Sequence, residues 1–202
     1  LFTPLVKAFC TDLGVENGLD AIQVLGGHGF IKEHGVEQIV RDAKILCLYE
    51  GTNGIQAMDL VRRKLQLKGG AMAELFFNRV DATIAEIGAD YDELAKPLAK
   101  ALTELREATV AMRETFNSDP NHAGAGAVEF QRAFALVALG YYWLRMLKAS
   151  EAHPDADFRK AKQATGRFFA RRILPEVSGL LERVAQGADG MMDISIEELM
   201  VA

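Results

Sequence analysis

Between residues 4 and 25 the apolar side chains Leu5, Val6, Phe9, Leu13, Leu19, Ile22 and Leu25 recur at intervals that share one helix face. The spacing predicts a long helix, with Thr3 as N-cap, Pro4 at the first helical position, and weakening at Gly14 and Gly18. Gly26-Gly27-His28-Gly29 ends it, and His28 reads as a solvated turn residue. Shorter amphipathic segments follow over 36–46 and 53–67, the second closing on the basic residues Arg62, Arg63 and Lys64, where the helix dipole favours cations. Beyond Gly69-Gly70 the helical stretches lengthen: 71–87, 91–116, 125–152, 155–186, and a short helix opened by the capping-box spacing Ser195-x-x-Glu198. Pro97 falls near a helix start, whereas Pro175 lies inside an apolar-periodic stretch and should kink or divide it. Residues 117–121 form the clearest turn, and Ala123-Gly124-Ala125-Gly126 a flexible or tightly packed start to the next helix. No segment reads as a strand. The pattern predicts an all-α protein, with residues 1–68 as one unit and 69–202 as a second, antiparallel helical bundle.

The apolar stripe Phe130, Phe134, Val137, Tyr141, Leu144 and Leu147 is predicted core, with Tyr142 and Trp143 on another side of the same helix, as contact anchors if exposed. The longest apolar run, Ala133 to Leu144, is too short to span a bilayer. With 202 residues, half of them hydrophobic, the chain is long enough to bury a substantial core. A net charge of -5 with interspersed signs argues against a nucleic-acid partner or a membrane-surface patch. Cys10 and Cys47 form neither a disulfide framework nor a metal pattern, and the four histidines are scattered, so no metal site is expected and a reducing, cytoplasmic setting is favoured. The chain opens at Leu1, directly in a helix start and with no signal-peptide pattern, which predicts a piece of a longer polypeptide.

The chemistry concentrates at Leu46-Cys47-Leu48-Tyr49-Glu50-Gly51-Thr52-Asn53. An apolar approach desolvates a carboxyl group and raises its pKa toward that of a useful general base, which makes Glu50 the candidate. Gly51, lacking a Cβ, admits a planar ligand beside it, and Thr52 is placed to cap the next helix. The same residues also suit an ordinary inter-helix turn. Gly26-Gly27-His28-Gly29 is similarly double: a glycine helix stop, or exposed backbone N–H groups that admit a phosphate. Arg41-Asp42 is expected to anchor the loop after its helix through ion pairs or helix-end hydrogen bonds. Residues 70–202 contain no nucleophile elbow, P-loop or Cys/His pair, so chemistry is expected only in the first unit.

The ordered series Thr3-Pro4-Leu5-Val6-Lys7-Ala8-Phe9, Gln23-Val24-Leu25-Gly26-Gly27-His28-Gly29-Phe30, Val36-Glu37-Gln38 with Arg41-Asp42-Ala43-Lys44-Ile45, and Tyr49-Glu50-Gly51-Thr52-Asn53-Gly54-Ile55-Gln56 resembles the C-terminal helical domain of the acyl-CoA dehydrogenases. The remainder is similar to the extra helical region of a bacterial branch that includes methylmercaptopropionyl-CoA dehydrogenases. The resemblance implies an FAD-dependent enzyme of fatty acid metabolism, homo-oligomeric as a dimer or tetramer, which oxidises an acyl-CoA thioester and passes electrons to an electron-transfer flavoprotein. It implies Glu50 as catalytic base and a backbone N–H of Glu50 on the thioester carbonyl. Tyr49 and Gly51 would meet substrate; Thr52 and Asn53 would meet FAD. Gln23, Gly26 and Gly27 align with a segment that meets the adenine-pyrophosphate end of FAD, usually from a neighbouring subunit. Gly54 departs from the glutamine or glutamate many members carry, and the chain runs past the usual family end. The residues by themselves, without the other family domains, are expected to be inactive. A non-catalytic helical interaction module and an acyl-CoA oxidase remain as alternatives.

Overall fold

The computed structural model describes residues 1–191 and 193–200, and no strand occurs among them. Eleven helices follow in order: α1 (Phe2–Leu25), α2 (Gly27–Phe30), α3 (Val36–Leu46), α4 (Asn53–Asp59), α5 (Ala71–Ile87), α6 (Asp92–Ser118), α7 (Pro120–Ala125), α8 (Ala127–Ser150), α9 (Ala156–Phe168), α10 (Glu176–Gln186) and α11 (Ile196–Leu199). The all-α expectation holds, and most boundaries fall within two residues of those the periodicity predicts.

The differences have local causes. α1 begins at Phe2 with Leu1 as N-cap, so Thr3 caps nothing and Pro4 sits in the first turn, where the missing N–H has no intrahelical acceptor in any case. Gly18 is a contact point: a Cβ there would lie 2.9 Å from Val40 Cγ2, so the glycine lets α3 lie close along α1. The long stretch over 155–186 divides as Pro175 requires. A π-turn over Phe169–Ile173 follows α9, with Leu174 N donating to Phe169 O (2.9 Å), and Pro175 stands as N-cap of α10. A second π-turn, Leu60–Lys64, extends α4. The turn at 117–121 is tight: Asp119 alone separates α6 from α7, its carboxylate accepting from the N–H groups of Asn121 and His122. Ser195 and Glu198 complete both arms of the capping box.

The core is centred on α8, whose predicted stripe from Phe130 to Leu147 is buried throughout. Phe134 stacks on Phe76 at 5.7 Å between ring centroids and meets Phe77 at 5.6 Å, while Phe2 of α1 stands edge-on to Phe76 at 5.0 Å. Each such ring, fully buried, contributes roughly 1.5–3 kcal/mol. Trp143 is not an exposed anchor: it packs at 6.3 Å from Phe169, with Lys162 over its ring, whereas Tyr142 is exposed. The core is continuous from Leu5, Phe9, Ala57, Leu60 and Val61 to Leu181, so the segment before Gly69-Gly70 packs on the helices after it. The junction itself is held: Lys68, Gly69 and Gly70 have φ of 52, 66 and 95, and the Arg113 guanidinium lies against Gly70 where a side chain would go. Cys10 is exposed and Cys47 buried, both free thiols. Among the described residues no helix is long and apolar enough to cross a membrane. Among the described residues no group of acidic, histidine or cysteine side chains is arranged to hold a metal ion.

Candidate active site

α3 ends at Leu46, the chain turns through Cys47 and Leu48, and Glu50 follows in the left-handed region at φ 56, with Gly51 at φ 85. A non-glycine residue there costs about 1–2 kcal/mol unless its surroundings impose the conformation. They do so from both sides. Asn53 N donates to Cys47 O (3.1 Å), closing the loop on its own start, and Gln56 Nε2 donates to Glu50 O (3.0 Å). Thr52 Oγ1 accepts from Ile55 N (3.4 Å) as the N-cap of α4, the capping role its sequence position predicts.

The loop is pinned to α1 by a polar cluster. Lys7 Nζ donates to Gly51 O (2.8 Å) and to Asn53 Oδ1 (2.7 Å). Asn53 Nδ2 lies within hydrogen-bonding reach of Asp12 Oδ1 (2.7 Å), Thr11 Oγ1 (2.9 Å) and Ala8 O (3.2 Å), and Thr11 Oγ1 lies 3.3 Å from Asn53 Oδ1. The Asn53 amide is therefore spent inside the chain, and its side chain has no donor left for a ligand. Sequence reading singled out none of Lys7, Thr11, Asp12 or Gln56. The one signal was a polar patch at i, i+4 and i+5 beside the apolar stripe of α1.

Glu50 is exposed, and so are Leu46, Leu48 and Tyr49, so the apolar run does not desolvate the carboxylate as its sequence suggests. The run points outward because α3 packs on α1 by its other face, leaving Ile39, Ile45 and Leu46 open as well. Among the described residues the Glu50 carboxylate meets no hydrogen-bond partner, and neither do the backbone N–H groups of Glu50 and Gly51. One carboxylate and two adjacent donors thus stand free beside an apolar surface.

Gln23, Gly26 and Gly27 lie elsewhere. Gln23 is about 24 Å along α1 from Lys7 at 1.5 Å per residue, and the whole Gln23–Gly27 segment is exposed. Gly26, at φ 58, bonds back to Gln23 O (3.2 Å), and a Cβ on Gly26 or Gly27 would meet nothing within 4 Å. Gly29 differs, because a Cβ there would lie 2.7 Å from Ile22 O. His28 is exposed, edge-on to His34. Arg41 and Asp42 do not anchor the following loop: Arg41 pairs with Glu37 (3.2 Å) and Asp42 accepts from Gln38 (3.4 Å), one turn back on their own helix.

Two family models match the chain. The acyl-CoA dehydrogenase C-terminal domain covers residues 2–65, and the acetyl-CoA dehydrogenase C-terminal-like model covers residues 76–195, more than half of the chain. The chain belongs to the acyl-CoA dehydrogenase family. It is 38% identical to a 3-methylmercaptopropionyl-CoA dehydrogenase of Ruegeria pomeroyi over 200 residues, covering 96% of this chain and 34% of that protein. A butyryl-CoA dehydrogenase of Syntrophomonas wolfei is 30% identical over 213 residues, 98% of this chain and 34% of that protein. An acyl-CoA dehydrogenase of Bacillus subtilis is 46% identical over 54 residues, 27% of this chain and 14% of that protein. The chain thus spans about a third of the length of the first two acyl-CoA dehydrogenases. Within the family frame, the two models meet on either side of Gly69-Gly70.

Proposed function

We propose that this chain is the C-terminal part of an FAD-dependent acyl-CoA dehydrogenase and that Glu50 is its catalytic base, removing the α-proton of an acyl-CoA thioester during α,β-dehydrogenation. The observation that carries the proposal is the loop itself: a glutamate in a left-handed conformation, its own carbonyl and that of Gly51 held by side chains, with its carboxylate left unpartnered. A non-glycine residue at φ 56 costs about 1–2 kcal/mol, and at Glu50 that conformation coincides with a free carboxylate and two free backbone donors.

The neighbouring groups suit the remaining roles. The free N–H of Glu50 can donate to the thioester carbonyl and stabilise the charge that develops when the α-proton leaves. Gly51 and Tyr49 flank the carboxylate, and Leu46 and Leu48 offer a surface on which a bound acyl group excludes water and makes the carboxylate a stronger base. A bound FAD would supply the hydride-accepting chemistry for the β-hydrogen. The open backbone at Gly26 and Gly27 and the exposed Gln23 fit close approach of its phosphates, and the exposed Thr52 hydroxyl retains a hydrogen to donate. Asn53 contributes by holding Gly51 and Thr52 in place rather than by its own amide. The roughly 24 Å along α1 between Gln23 and Lys7 suits a homo-oligomer in which one subunit supplies the base and a neighbour supplies the Gln23–Gly27 segment to the same flavin. Residues 1–68 carry the base, and residues 69–202 form a supporting bundle. An electron-transfer flavoprotein as oxidant and a cytoplasmic setting complete the reading.

Glu50→Gln in the full-length protein tests it. The variant should fold and bind FAD yet lose acyl-CoA-dependent bleaching of the flavin under anaerobic conditions; bleaching at the parent rate would sink the assignment. Peroxide formation in air would place the protein among the oxidases instead. A full-length protein that purifies colourless and cannot be loaded with FAD would favour a non-catalytic module.

A further inference from the structure

The geometry points to Lys7 as the positioning residue of the Glu50 loop: its ammonium, donating to Gly51 O and Asn53 Oδ1, holds the base in its working conformation. This rests on the reading of Glu50 as the base.

Lys7 lies on the second turn of α1 and is part-buried. Among the described residues no carboxylate approaches its Nζ within 4 Å, so both observed acceptors are uncharged oxygens, at 2.8 and 2.7 Å. A lysine is seldom drawn out of solvent for two carbonyl oxygens unless it fixes them; a solvated ammonium is satisfied by water. The oxygens it fixes are well chosen. Gly51 O belongs to the Gly51–Thr52 peptide, one beyond the peptide that leaves Glu50, and Asn53 Oδ1 belongs to the side chain that ties α4 to Ala8, Thr11 and Asp12. With Gln56 holding Glu50 O from the opposite side, the peptides on both sides of Gly51 are clamped, which holds the left-handed turn at Gly51 and on the C-terminal side of Glu50. The first turns of α1 are themselves buried through Pro4, Leu5, Ala8 and Phe9, so the clamp is mounted on a rigid element. Without the ammonium, Gly51 O loses its partner, and the loop is free to leave a conformation that glutamate does not prefer. A displacement of the order of 1 Å at a reacting group lowers turnover by about 100-fold.

The experiment compares Lys7→Met, which keeps the stem and removes the donors, with Lys7→Arg, whose fork can reach both oxygens. In full-length protein, Lys7→Met should lower kcat by about 10- to 100-fold with KM changed by less than about threefold. It should also accelerate amide hydrogen exchange in a peptide covering residues 47–56 by about 10-fold, since the Asn53-to-Cys47 bond opens more readily. Lys7→Arg should restore both. Should the methionine variant not fold, Lys7→Gln, which can serve only one oxygen at a time, carries the same comparison with smaller changes. Exchange or kcat unchanged from the parent, or a loss that arginine fails to restore, overturns the assignment. The exchange measurement requires no turnover: it judges the clamp even if Glu50→Gln shows the base to lie elsewhere.

Discussion

Glu50 shows how one residue can be set by its surroundings against its own preference. Its φ of 56 opposes the ordinary conformation of an L-residue, and the bonds that enforce it come from Lys7, Gln56 and Asn53, not from its own carboxylate. Glu50→Gly should therefore leave the fold nearly as stable as before. Relief of about 1 kcal/mol of left-handed strain is offset by the roughly 0.5–1 kcal/mol that glycine's extra unfolded freedom costs. The net change should fall within about 1 kcal/mol, read as a shift of the thermal midpoint of no more than about 4 °C, while flavin bleaching is lost. A drop of several kcal/mol would mean that the side chain supports the fold. The identity of the candidate base was legible in the sequence, because glutamate before glycine at the end of an apolar run is an unusual wall. Its exposure was not, because which way the run faces depends on the face by which α3 meets α1.

At the scale of elements, period and punctuation carried far. The helix over 71–87 has the bounds its apolar spacing predicts, Pro175 divides its stretch, and Ser195 caps where its sequence context places it. What the spacing could not reveal was how elements bind one another through polar side chains. Glu104 on α6 is an example. Burial alone would raise its pKa, but hydrogen bonds from Lys100 (2.5 Å) and from Ser178 of α10 (2.7 Å) outweigh that and hold it below its ordinary 4.5. A carboxylate depressed in the folded state stabilises the fold above its unfolded pKa, and that contribution vanishes as pH falls through the lowered folded value. Glu104→Gln should then weaken the protein in urea unfolding near neutral pH and leave it unchanged in acid below the folded pKa. An equal loss at both pH values would show that the glutamine perturbs packing instead.

Over the whole molecule, the helices after Gly69-Gly70 hold the segment that carries Glu50 through the shared core and through long-range polar contacts. Gln131 of α8, buried, donates to Pro4 O (3.0 Å), and Arg132 joins Glu176 of α10 (2.6 Å) to Glu16 of α1 (3.2 Å) while lying over the Phe9 ring. The Arg132 bridges are partly solvated and contribute little beyond about 1 kcal/mol. Gln131 adds one buried side-chain hydrogen bond to a carbonyl that α1 also satisfies internally. Gln131→Leu should destabilise the protein by about 0.5–1.5 kcal/mol, measured by denaturant unfolding. Helicity and Trp143 fluorescence should change in one transition, because a single core joins α1 to α10; two separated transitions would contradict that. The sequence by itself determined the helices, the core stripe of α8, the family and the candidate base, because periodicity, caps and ordered motifs are local properties of the chain. Only the tertiary structure decided that Lys7 and Asn53 clamp the Glu50 loop, that Gly18 admits α3, and that Trp143 is packed rather than free. Those depend on which faces meet, and residues far apart in sequence leave no local mark of their meeting.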